Sequence, residues 1–158
     1  MLNRRSVFKV IASAATVLVA RLSGVRAWAQ DKASTNVVRN PTGSYDRRSV
    51  EIPPGSRVVF VSGQTATDAD GNTPPDAETQ ADIVYAKVTQ TLEDAGMSMK
   101  DLVKTNLYMV NPGDIGAIIK AGAKYNPGGT QAGTLVYVKA LARPEVLLEL
   151  EAVAARLD

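Results

Sequence analysis

The stretch GTLVYVKALARPEVLLELEAVA, from Gly133 to Ala154, holds two strand-like runs joined by a short connection containing Ala142, Arg143 and Pro144. In the first run Thr134, Val136 and Val138 alternate with Leu135, Tyr137 and Lys139, and its β-branched and aromatic content favours a strand over a helix. Pro144 interrupts the ladder. The second run sets Leu148, Leu150, Ala152 and Ala154 on one face, and Leu147, Glu149, Glu151 and Val153 on the other. Two carboxylates therefore share one side of a strand whose reverse is apolar. Charge at alternate strand positions ordinarily marks a solvated face. The alternative is a carboxylate set in a cleft to position water or move a proton.

Upstream, Ala81, Val84, Tyr85, Val88, Leu92 and Ala95 recur at helical spacing, with Asp76 as N-cap and Gly96 just past the end. Such a stripe covers one face of a sheet. Asp101 to Val110 (DLVKTNLYMV) and Arg57 to Ser62 (RVVFVS) read as strands, and a short alternating run begins at Ser49. Asn111-Pro112 opens a second helix whose buried stripe is expected at Ile115, Ile118, Ile119 and Gly122. The order strand, strand, helix, strand, helix, strand, strand predicts an α+β domain, with both helices on one side of a mixed sheet. Asp68-Ala-Asp-Gly-Asn72 is a turn; it lacks the spacing and terminal Glu of a calcium loop.

The chain has no Cys and no His, which excludes disulfides, thiolate nucleophiles, imidazole bases and the usual zinc sites. Its N-terminus resembles a twin-arginine export signal: Arg4-Arg5-Ser-Val-Phe-Lys9, an apolar run from Val10 to Ala20, and Ala27-Trp28-Ala29 as a cleavage site. The resemblance implies export to the periplasm by the twin-arginine machinery, loss of residues 1–29, and no membrane attachment afterwards. The apolar run is too short for a span, which needs about 20 residues. Residues 30–40 are expected to be a flexible leader, and residues 41–158 the domain. Residues 1–29 hold five basic and no acidic side chains, so the remainder carries 13 basic against 16 acidic, a formal −3 in place of +2. The basic excess of the whole chain is thus no footprint for nucleic acid.

Ser62-Gly-Gln64, LEDAGMSMKDLVKTNLYMVN from Leu92 to Asn111, and Glu149-Leu-Glu-Ala-Val-Ala154 together resemble the Rid family, the reactive intermediate deaminases also called YjgF or L-PSP proteins. The resemblance implies a chorismate-mutase-like α+β fold and a barrel-like homotrimer with small-molecule clefts between subunits. It also implies hydrolysis of enamines and imines, such as 2-aminoacrylate, with neither metal nor organic cofactor. By the same resemblance Tyr45, Ser62, Gly63 and Asn106 are cleft residues, and Glu149 is the carboxylate that orients the attacking water. Glu151 is left as a structural or surface residue. Gly133, Thr134 and Leu135 belong to the ligand-binding stretch, and deaminating members carry an arginine at the place of Gly133 that pairs with the substrate carboxylate. That departure leaves two function classes: a hydrolase of altered specificity, or a binding protein that keeps the clefts without chemistry. The family's older ribonuclease label finds no support in a net charge of −3 with no His and two Phe.

Overall fold

The computed structural model describes residues 36–39 and 48–157. The segment read as an export signal, most of the expected leader and Tyr45 lie outside the described residues. Strands β1 (Val37–Arg39) and β2 (Ser49–Glu51) form an antiparallel ribbon, and the Asn36 amide ties it to the main unit by donating to the Ala155 carbonyl at 2.7 Å. The folded region thus begins inside the segment read as leader, because three residues are too few to show a period.

The main sheet contains β3 (Arg57–Gln64), β4 (Leu102–Met109), β5 (Ala132–Tyr137) and β6 (Leu148–Arg156), in the order β3-β6-β4-β5. Pairing is antiparallel except between β4 and β5, so the sheet is mixed as expected. The two runs of the opening stretch are not neighbours: β4 lies between them, and the connection through Pro144 crosses over it. Helices α1 (Ala77–Asp94) and α2 (Ile115–Tyr125) cover one face. Leu148, Leu150, Ala152 and Ala154 point into that layer, each no more than 3% exposed, against Ala81, Val84, Val88 and Leu92 of α1. The alternation read from β6 therefore matches the observed burial.

The Asp76 carboxylate caps α1 by accepting from the Thr79 N–H at 2.8 Å, a bond that holds its pKa below the ordinary carboxylate value. A folded-state pKa below the unfolded one means that this stabilisation is present above the carboxylate range and fades as pH falls through it. At the other end Gly96 adopts φ 68°, the left-handed conformation expected of a C′ residue.

Helix α2 departs from expectation in two ways. Asn111 caps a 3-10 turn, Pro112–Asp114, before the α-helix begins. Ile115 and Ile119 are 41% and 65% exposed, whereas Ile118 and Ala121 are buried and Ala117 and Tyr125 pack against the core. Small residues face α1 because they allow the two axes to approach: a side chain at Gly122 would stand 3.3 Å from the Tyr85 hydroxyl. The bulkier isoleucines turn outward.

Candidate functional site

Strand alternation decides what the uncovered face of the sheet presents. Residues opposite one another in register project to the same side. Asn106 lies opposite both Glu151 and Thr134, and Tyr108 lies opposite Glu149, so all five share the face without helices. Glu151 is the hub of this group. It accepts from the Asn106 amide at 3.3 Å and from the Tyr108 hydroxyl at 3.2 Å. The bond to Glu151 raises the Tyr108 pKa above its usual 10.0, and desolvation and the charges of Glu151 and Glu149 push the same way. Tyr108 is accordingly a neutral donor at neutral pH. These residues adjoin a pocket of about 360 Å³ whose lining includes Phe60, Ser62, Lys104, Asn106 and Glu151.

A bulge in β3 shapes the neighbouring end. Val61 pairs with Ala152 but Gln64 pairs with Leu150, so three steps on β3 match two on β6. The extra residue lets Gly63 come up against the Glu149 side chain. A Cβ built at Gly63 would stand 2.8 Å from Glu149 Cδ and 3.2 Å from Cγ, and closer still to its Oε1. Only glycine leaves room for the carboxylate in this position. Ser62, Gly63, Asn106 and Glu149 are thus brought together on one face.

The β5 residues do not all join them. Gly133 lies opposite Thr105, itself opposite Ala152, and Leu135 lies opposite Leu107, itself opposite Leu150; both sit on the helix-bearing side of the sheet. A Cβ at Gly133 would meet Thr105 Oγ1 at 3.7 Å, an ordinary contact, so neither backbone conformation nor crowding requires glycine there. The β5 position that projects into the pocket face is 134. Gly133, where the resemblance expects an arginine, thus projects away from this chain's pocket face, and Thr134 projects toward it. Thr134 Oγ1 accepts from Lys104 Nζ at 2.6 Å. The sequence did not single out Phe60, Lys104 or Tyr108 and left Glu151 as a structural or surface residue, because strand periodicity shows which residues share a face but not which strands lie side by side.

A second groove of about 450 Å³ runs between α1 and α2 on the far side of the molecule. Its charges satisfy one another: Lys120 pairs with Glu78, and Lys124 with Asp82 at 2.5 Å. Among the described residues no group of three or more Asp or Glu could hold a metal ion, and no helix is long and apolar enough to cross a membrane.

Comparison with known proteins agrees with this architecture. The family model described as Endoribonuclease L-PSP matches residues 37–156. A RutC family protein of Pyrococcus abyssi is 29% identical over 128 residues, covering 80% of this chain and 97% of that one. A Rid family protein of unknown function from Yersinia pestis, YyfB, superposes with a TM-score of 0.65 at 32% identity, over 76% of this chain and 98% of that one. The structure of Escherichia coli TdcF with bound serine gives a TM-score of 0.58 at 28% identity, over 66% and 84%. The mixed sheet backed by two helices is the chorismate-mutase-like fold, and the chain belongs to the L-PSP family, that of the Rid and YjgF proteins.

Proposed function

We propose that this chain is an exported Rid-family protein that binds a small metabolite on the uncovered face of its sheet and hydrolyses an enamine, imine or related carbonyl-derived compound there. The observation that carries the reading is Glu149, held against the Gly63 backbone beside the pocket of Ser62, Asn106 and Glu151. A carboxylate so placed can accept a proton from water as it attacks an imine carbon. The serine bound by TdcF is a molecule of the size this pocket accommodates. Phe60 is 78% exposed in the single chain, and Val58 and Val136 are also exposed. Burying such side chains between copies fits the homotrimer that the family forms, with Tyr45 in the inter-subunit cleft. Arg4-Arg5 and the Ala27-Trp28-Ala29 site favour the twin-arginine route, cleavage after Ala29 and a periplasmic location.

A non-catalytic binding protein is the second reading, favoured by Gly133 at the β5 position where the resemblance expects an arginine. Ammonia release from 2-aminoacrylate by the purified trimer separates the two. Hydrolysis above the buffer rate is expected, and Glu149→Gln is expected to lower it by roughly 10²- to 10⁴-fold, the range of a lost general base. A trimer that binds ligand but releases no ammonia would establish the second reading.

A further inference from the structure

The pocket of the uncovered face has a charged group of each sign. At one end lies Glu151, with Asn106 and Tyr108 donating to it. Toward the β5 edge lies Lys104, the cation among the residues that line the pocket. Lys104 is half-buried, and its ammonium donates to a neutral hydroxyl, Thr134 Oγ1, at 2.6 Å. An ammonium has three N–H donors, and one bond to a threonine leaves capacity for an anionic acceptor. The Thr134 hydroxyl fixes where that capacity points. Both groups stand on adjacent strands above the same sheet, with the Phe60 ring as an apolar wall.

We propose that Lys104, positioned by Thr134, is the group that recognises the carboxylate of the ligand, while Glu151 faces its amino or imino nitrogen. The pocket is thus selective for a small amino acid-like molecule with opposite charges at its two ends. This rests on the reading of the uncovered face as the ligand site. It moves the anion-binding role from β5 to β4: a lysine two residues before Asn106 supplies the positive charge. Lysine is a point charge on a flexible stem, in contrast to the planar fork of arginine, so it holds a carboxylate without imposing bidentate geometry. Tolerance of several carboxylate-bearing ligands follows.

Calorimetric titration with three probes tests this. L-serine carries both charged ends, ethanolamine is serine without its carboxylate, and 3-hydroxypropanoate is serine without its amine. For the wild-type protein the expected order has L-serine tightest. Lys104→Met is expected to weaken L-serine and 3-hydroxypropanoate by roughly ten- to a hundredfold, the loss of one charge-assisted hydrogen bond, and to leave ethanolamine unchanged. Glu151→Gln is expected to do the reverse, weakening L-serine and ethanolamine. Lys104→Arg should retain most of the affinity, and Thr134→Val, which removes only the positioning hydroxyl, should give a smaller loss confined to the two carboxylates. Circular dichroism of each variant confirms the fold, and the arginine and valine variants carry the test if the methionine variant does not fold. Unchanged L-serine affinity in Lys104→Met, with Glu151→Gln still weakened, overturns the assignment of Lys104 and leaves the ligand site standing. No binding of any probe to the wild-type protein overturns both.

Discussion

Gly63→Ala is expected to abolish ammonia release almost as completely as Glu149→Gln, although a single methyl group is added and the fold survives. The added Cβ falls within 2.8 Å of Glu149 Cδ, so the carboxylate has to leave the position it holds against β3. The atoms it meets belong to the far end of a flexible side chain, and a rotation of Glu149 relieves the clash. The cost in stability is accordingly expected to stay below about 1 kcal/mol, the scale of an off-rotamer side chain. The cost in function is far larger, roughly 10²- to 10⁴-fold, because a base moved out of reach of its water is lost as a base. Because both changes remove the same carboxylate, Gly63→Ala combined with Glu149→Gln should be no slower than the worse single variant. Multiplicative losses in steady-state kinetics would show that Gly63 acts independently of Glu149.

The largest stability effect of one polar side chain is expected at Gln80, which is fully buried on α1. Its amide nitrogen donates to the Pro74 carbonyl at 2.6 Å and to the Glu145 carbonyl at 2.9 Å, and its oxygen accepts from the Leu147 N–H at 2.9 Å. One side chain thereby joins the start of the helix, the turn before it and the chain entering β6. Gln80→Leu preserves the volume but strands three partly buried backbone groups. Each unsatisfied group costs about 1–3 kcal/mol, and water reaching the half-buried ones lowers the total, so a loss of about 2–4 kcal/mol is expected. Urea unfolding with an unchanged slope and a lowered midpoint would show it. A loss under about 1 kcal/mol would mean that Gln80 serves as packing alone.

How much of this was legible in the sequence varies with the kind of information each element carries. Helix α1 announces itself through a long apolar stripe, an aspartate cap and a terminal glycine, all of them local signals. The inward face of β6 is equally plain, since Leu148, Leu150, Ala152 and Ala154 keep a strict period of two. The stripe of α2 was misassigned at Ile115 and Ile119 because side-chain size, more than hydropathy, determined which face could approach α1. Strand β1 carried no signal at all: three residues gain their structure from pairing with β2.

The site was legible only in part, for a related reason. Resemblance to the family supplied Ser62, Gly63, Asn106 and Glu149, and the strand register then brought them to one face. Periodicity could not show that β4 separates β5 from β6, nor that Asn106 and Tyr108 would converge on Glu151. Nor could it show that Gly133 lies on the side of the sheet away from Asn106 and Glu151. In a strand successive residues point to opposite sides, so Gly133 and Thr134 face opposite sides of the sheet.

The claim on which the account turns is that ligand is held on the uncovered face of the sheet and not in the larger groove between the helices. Titration of the isotope-labelled protein with L-serine, followed by amide nitrogen–proton correlation spectra, locates the ligand directly. The account predicts saturable shifts at Ser62, Gly63, Lys104, Asn106, Glu149 and Glu151. Shifts confined to Glu78, Asp82, Lys120 and Lys124 would contradict it.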